Sequence, residues 1–230
     1  MSDSSEALLD RPIWSALTTS QKHLAEGGPR ALRYPVDMTP FADMVDMSAA
    51  SFAALGDLMA PSQVAALFTP EPVEVPAGFN VVIAQSGDQM IGSPADSPLR
   101  DAEIVRLGAA DVPAMMSLVA LTKPGPFAAR THELGTFLGI RDGGKLVAMT
   151  GERMKPGKFV EMTAVCVHPD YRGRGYAQAL LAAVARQIEA RGEIPFLHVF
   201  SNNSSAIALY ERQGMRLRRR LHVTAFMKQG

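Results

Sequence analysis

The chain has 230 residues, 47% hydrophobic and 20% charged, enough for one sizeable core or one domain with a smaller companion, and too apolar for a mostly disordered chain. Lys+Arg and Asp+Glu are equal at 23 each, which points to neither a nucleic-acid coat protein nor an acidic tail. Apolar runs stay well short of the roughly 18 residues of a membrane span, and the start MSDSSEALLDR lacks a basic flank with an apolar run behind it. The single cysteine, Cys166, excludes an internal disulfide framework and fits a reducing compartment. The expectation is a soluble cytoplasmic protein.

The balance conceals a division. Residues 1–100 hold 5 Lys/Arg against 12 Asp/Glu, and residues 101–230 hold 18 against 11. Two parts that attract each other, or one part adapted to an anionic ligand, would give this pattern. The stretch Gly92-Ser-Pro-Ala-Asp-Ser-Pro98 marks a border, dividing an accessory region, 1–98, from a main domain, 99–230. In the first part Arg30–Val36 reads as a short strand and Ser48–Ala60 as a helix. Pro61 marks its stop or the start of a following helix. Phe79–Gln85 reads as a strand closed by a turn at Ser86-Gly87-Asp88. A small separate α/β module and half of a decayed duplication both fit that order.

The second part is more legible. Glu103–Leu107 alternates as a strand, and residues 112–119 have helical spacing with Pro113 in the first turn. Gly135–Arg141 and Lys145–Met154 pair as a hairpin across Asp142-Gly143-Gly144. Phe159–Val167 is a strand, Gly175–Ala190 an amphipathic helix ending near Gly192, and Ile194–Phe200 a strand. Ser204–Gln213 is a short helix and Met215–Met227 the last strand or hairpin. The order β-α-β-β-β-α-β-α-β predicts an α/β (α+β) fold, a mixed, largely antiparallel sheet flanked by helices.

The segment Val165-Cys-Val167-His-Pro-Asp-Tyr-Arg172-Gly173-Arg174-Gly175-Tyr176-Ala177 carries the chemistry. An apolar strand enters a basic, glycine-containing loop that opens straight into a helix, where free N–H groups and the positive dipole end attract an anion. A dinucleotide fingerprint fails because Gln178 stands at its last glycine position, and a P-loop fails because no Lys-Ser/Thr follows.

This segment resembles the pyrophosphate motif Arg/Gln-x-x-Gly-x-Gly/Ala of the GNAT acetyltransferase superfamily, matched by Arg172, Gly175 and Ala177. Asn203 through Tyr210 to Gly214-Met215 resembles the same family's second hallmark. The similarity covers roughly residues 103–227. Glu133-Leu134-Gly135, Gly151-Glu152-Arg153-Met154 and Ala164–Val167 are most similar to its FR-type branch, related to glycine acyltransferases. The resemblance implies acetyl-CoA as co-substrate. Its pantetheine arm would run beside Val165 and Val167, its pyrophosphate on the N–H groups of Arg172, Gly173, Arg174, Gly175, Tyr176 and Ala177, with Asn203 near the pantetheine amides and Tyr210 near the sulfur. The family also splays its central strands, here between Phe159–Val167 and Ile194–Phe200.

An alkylamine with a pKa of about 10.4 is nucleophilic in only about one molecule per thousand at neutral pH, so a base or an apolar pocket is expected to help. Glu161, the one acid inside an apolar strand, is the expected base, with a pKa raised by burial; Glu152 is the second choice, a salt bridge its alternative role. Tyr210 is expected to donate to the departing thiolate. Cys166 reads as a small core residue, the histidines show no metal-ligand spacing and no metal is expected. His198 reads as a satisfied strand histidine, with a place in the acceptor cleft as its alternative, and the arginines at 216, 218, 219 and 220 as a solvated face. The expected activity is direct N-acyl transfer in a ternary complex to a primary amine of a small molecule, amino acid or peptide, by a monomer or homodimer with no nucleic-acid or membrane partner. A non-catalytic acyl-CoA-binding module is the alternative.

Overall fold

The computed structural model describes residues 5–95 and 102–229. Its strands are β1 (Glu26–Gly27), β2 (Ala31–Arg33), β3 (Ala42–Met44), β4 (Val64–Thr69), β5 (Phe79–Ile91), β6 (Ile104–Leu107), β7 (Phe137–Asp142), β8 (Lys145–Glu152), β9 (Phe159–Val167), β10 (Ile194–Phe200) and β11 (Arg216–Lys228). The α-helices are α1 (Pro12–Thr18), α2 (Ala49–Asp57), α3 (Val112–Thr122), α4 (Tyr176–Glu189) and α5 (Ser204–Arg212). From β6 onward the element order is the expected one. None of the described helices is long and apolar enough to cross a membrane.

Local chemistry accounts for the boundaries. Ser48 caps α2 by accepting from the Ser51 N–H, and Asn203 caps α5 by accepting from Ala206. The alanine-rich α4 lays Leu180, Leu181, Val184 and Ile188 against Val160, Met162 and Leu197 of the sheet. Gly143 and Gly144, both at positive φ, close the β7–β8 hairpin.

Eight strands form one sheet in the order β4-β11-β5-β10-β9-β8-β7-β6, with β1, β2 and β3 in a small separate sheet. The pair β9–β10 is parallel, and the other pairings of the large sheet are antiparallel. The mixed, largely antiparallel sheet is as expected. β5 lies between β10 and β11, hydrogen-bonded to both, so a strand from the first hundred residues completes the sheet of the second part. The border at 98/99 itself lies outside the described residues.

One local expectation fails, and one alternative is settled. Ser86-Gly87-Asp88 is mid-strand: Asp88 accepts from Arg220 Nε (2.8 Å) and Ser201 Oγ (2.5 Å), so neighbours on both sides override its turn-like composition. Of the two roles weighed for Pro61, the stop holds: α2 ends at Asp57, and β4, with Ala65–Thr69 all buried, follows.

The charge division has a structural counterpart. Arg218 reaches Glu6 (3.2 Å) and Asp10 (2.8 Å), Arg219 reaches Asp10 (3.1 Å), and Arg220 reaches Asp88 (2.8 Å). Arg218 is thus withdrawn from the solvated face expected, while Arg219 and Arg220 stay on that face, 40% and 60% exposed, and pair with the acidic first part from there. Arg218 is 10% exposed and Arg216 64%. Arg218→Ala is expected to cost about 2–4 kcal/mol in urea unfolding because it strands buried acceptors, whereas Arg216→Ala is expected to stay within about 0.5 kcal/mol.

Candidate functional site

β9 and β10 run parallel only through Ile194↔Phe159, Pro195↔Val160 and Phe196↔Glu161. Beyond that pair they part, where the sequence places the splay. Past the fork β9 carries a bulge: Met149 faces Cys166 and Gly151 faces Thr163, so Thr150 opposes two residues. Ala164 takes φ +53° there, and the Thr150 hydroxyl donates to the Thr163 carbonyl at 2.8 Å. The bulge turns Ala164 and Cys166 toward α3 and leaves Val165 and Val167, both half-buried, against the α4 side.

The loop after β9 leads into α4. Gly173 (φ +78°) and Gly175 (φ +77°) both take the left-handed conformation that favours glycine. A Cβ at Gly173 would meet nothing within 4 Å, and one at Gly175 only Gln178 Oε1 at 3.7 Å, so both face open space. Gly175 is the N-cap of α4 with no side-chain cap, and the first helical bond runs from Ala179 N to Gly175 O. The first-turn N–H groups of Tyr176, Ala177 and Gln178 are therefore left to an outside acceptor. Arg172 and Arg174 are exposed, the latter stacked 4.8 Å over the Tyr171 ring, whose hydroxyl donates to Asp142. A bare helix start, two open glycines and two cations fit a diphosphate.

Tyr210, Val165, Val167, Tyr171 and Tyr176 pack in one apolar cluster under α4. The Tyr210 side chain is buried and its phenol is pushed up to about 12 by that burial. Asn203 is exposed; its Oδ1 accepts from Ala206 N and Ser205 Oγ, which leaves its amide N–H groups to a ligand.

Glu161 is a correction. Burial would raise its pKa, as expected from sequence, but Arg153 and His198 outweigh burial and hold it down at about 2. Arg153 donates from Nε (2.8 Å) and Nη2 (2.9 Å) to the two carboxylate oxygens, and His198 Nδ1 lies 2.8 Å from Oε1. A carboxylate so committed is a weak base. Glu152, 1% exposed, bonds Lys155 (2.9 Å) and Arg191 (3.0 Å), the salt-bridge role weighed for it. Cys166 is buried with its thiol pushed up to about 11 by burial, as befits a core residue. Arg153 was not singled out in the sequence, though the hairpin register Glu152↔Met162 carries the signal that sets it opposite Glu161.

Because Glu161 is depressed from 4.5 to about 2, it stabilises the fold above its unfolded pKa, and that contribution is lost as pH falls from about 4.5 through 2. Urea midpoints measured across this window should fall by an amount equivalent to roughly 3 kcal/mol. Glu161→Gln, which leaves Arg153 buried without its counter-charge, should flatten that fall while lowering neutral-pH stability by about 3–5 kcal/mol.

Comparison with known proteins agrees with this geometry. Residues 112–215 match the acetyltransferase (GNAT) family. The N-alpha-acetyltransferase RimI of Mycobacterium tuberculosis is 36% identical over 110 residues, 43% of this chain and 68% of that protein. A crystal structure from Novosphingobium aromaticivorans DSM 12444, assigned to the GNAT family of acetyltransferases, superposes with a TM-score of 0.88 at 38% identity, covering 97% of this chain and 99% of the other. A GCN5-related N-acetyltransferase from Kribbella flavida shares the fold at 16% identity, with a TM-score of 0.63 over 100% of this chain and 97% of its own. A fork in a mixed sheet, an anion cradle at its open end and these likenesses have one common explanation: the chain belongs to the GNAT family of acetyltransferases.

Proposed function

We propose that the fork and the α4 cradle carry acetyl transfer from acetyl-CoA to a primary amine in a direct ternary complex, with a free α-amino group of a peptide or amino acid as the favoured acceptor. One observation carries this reading: the uncapped start of α4 follows directly on the strand that leaves its parallel neighbour after Glu161.

Acetyl-CoA would supply the activated acyl thioester. The N–H groups of residues 172–177 would hold its diphosphate, with Arg172 and Arg174 adding charge. Main-chain groups of Val165 and Val167 would align the pantetheine arm, and the free amide N–H groups of Asn203 would donate to it. The neutral acceptor nitrogen would form the new C–N bond as the C–S bond breaks; nitrogen would then lose one proton to water, and the thiolate would leave and regain its proton from solvent. With a phenol at about 12 and a free thiol at about 8.5, complete proton transfer from Tyr210 is uphill by roughly 5 kcal/mol. Tyr210 would therefore stabilise the departing sulfur as a hydrogen-bond donor and keep its proton. The buried, protonated thiol of Cys166 favours direct transfer over an acyl-cysteine route.

The acceptor class follows from proton chemistry. Both candidate carboxylates are tied up in buried ion pairs, which favours an amine that is partly neutral before it arrives. An α-amino group of pKa about 7.8 is neutral a few hundred times more often at pH 7 than a lysine amine of pKa about 10.4. The likeness to a relative named N-alpha-acetyltransferase supports the same choice.

Thiol release from acetyl-CoA should be faster with a free-N-terminus peptide than with an Nα-blocked lysine peptide by roughly 100-fold or more at pH 7. kcat/KM should rise about tenfold per pH unit below the acceptor's own pKa; a preference for the blocked lysine peptide would overturn the acceptor class. Tyr210→Phe should lower kcat by about 10- to 100-fold with little change in calorimetric coenzyme A affinity. An absence of coenzyme A binding by the wild-type protein would remove the whole reading.

A further inference from the structure

The polar chain that holds Glu161 continues beyond it. His198 lies on β10 two residues past Phe196, the last residue paired with β9, and its side chain is 5% exposed. The Phe68 ring lies over it at 4.5 Å and Phe196 meets it edge-on at 5.5 Å. Gln89 of β5 closes the other side: its Nε2 lies 3.0 Å from His198 Nε2 and donates to the Leu9 carbonyl at 2.9 Å, while its Oε1 accepts from Arg218 Nη1 at 2.9 Å. That arrangement determines both the amide orientation and the tautomer. Gln89 donates to His198 Nε2, so the imidazole proton sits on Nδ1 and is donated to Glu161 across the fork. Arg218 in turn grips Glu6 and Asp10 of the N-terminal segment, and Leu9 packs under the fork with Phe159 and Phe196.

Main-chain pairing holds neighbouring strands about 4.8 Å apart, and past Phe196↔Glu161 that restraint on β9 and β10 ends. The Glu161–His198 hydrogen bond is a polar link across the first step of the divergence. Because both ring nitrogens are engaged, His198 is not free to take a proton from an acceptor. We propose that His198 is a positioning residue for acyl transfer: it sets the opening of β10 away from β9, and it is itself held by Gln89 and, through Arg218, by residues 6–10. This rests on reading the fork as the reaction site. The N-terminal segment is then part of the catalytic scaffold. A displacement of the reacting groups by about 1 Å is enough to cost about 100-fold in rate.

The test uses the full-length protein, acetyl-CoA and a peptide with a free α-amino group, read by thiol release, with coenzyme A affinity measured by calorimetry. His198→Ala should lose about 10- to 100-fold in kcat, with KM for acetyl-CoA and coenzyme A affinity within about threefold of wild type. His198→Asn places an amide N–H where Nδ1 stood and should recover to within about fivefold of wild-type kcat. His198→Gln, whose amide lies out by Gln89, should not recover. A folded His198→Ala retaining kcat within about twofold would overturn the proposal, as would Asn performing no better than Gln, or coenzyme A affinity falling in step with kcat. Should the alanine variant fail to fold by circular dichroism, the Asn–Gln comparison decides alone. A wild-type protein that neither binds coenzyme A nor releases thiol would count against the acetyl-transfer reading, not against the tether.

Discussion

The parting of β9 from β10 is the constraint on which the rest of the molecule depends. Two parallel strands in the middle of an eight-stranded sheet would ordinarily stay paired, because each unpaired main-chain group away from water is costly. Here pairing stops at Glu161, and a buried carboxylate occupies the branch point with Arg153 and His198 as partners. Taking these charges out of water is expensive, and buried ion pairs of this kind add little net stability over well-packed apolar residues. What they supply is direction: bidentate geometry and a single imidazole tautomer specify where each strand goes next.

The N-terminal hundred residues supply the other half of that specification. β5 lies against the outer edge of β10 and brings Gln89 to His198, while β4 extends the same sheet beyond β11. Three clusters then divide the faces. Leu180, Leu181 and Val184 of α4 cover one side of the fork region, Met115 and Leu118 of α3 cover the other near the bulge, and α1 packs with Phe41, Phe68 and Leu221 beside them. The opposite charges of the two parts meet mainly where Glu6, Asp10 and Asp88 face β11.

The proposed function is distributed in the same way. The anion cradle is a local device, made by one loop and the first turn of one helix, and it needs little beyond its own glycines. Tyr210, proposed above as the donor to the departing sulfur, sits in an apolar enclosure that pushes its phenol up to about 12, which suits a group that donates a hydrogen bond and keeps its proton. The carboxylates nearest the fork are engaged in buried ion pairs, and in the proposed reaction deprotonation would therefore fall to the acceptor's own pKa.

Local periodicity and turn chemistry were enough to read the chain from β6 to β11 element by element and to mark the glycine loop before α4 as an anion site, whereas Asn203 and Tyr210 were implied by the resemblance to the GNAT family. In each case the signal lies within a dozen neighbouring residues: alternation, a helical stripe, a pair of glycines before an uncapped helix. The sequence by itself also exposed the charge division. The insertion of β5 between β10 and β11 was not legible, since strand neighbours are chosen by side-chain packing across a hundred residues and leave no mark on local pattern; Ser86-Gly87-Asp88 even reads as a turn. The state of Glu161 was likewise decided by tertiary structure. A lone acid in an apolar strand predicts a raised pKa when burial is the only influence considered, and it took Arg153, just past the end of β8, and His198 from the neighbouring strand to reverse the sign. Coulomb energy depends on distances that only the folded chain defines.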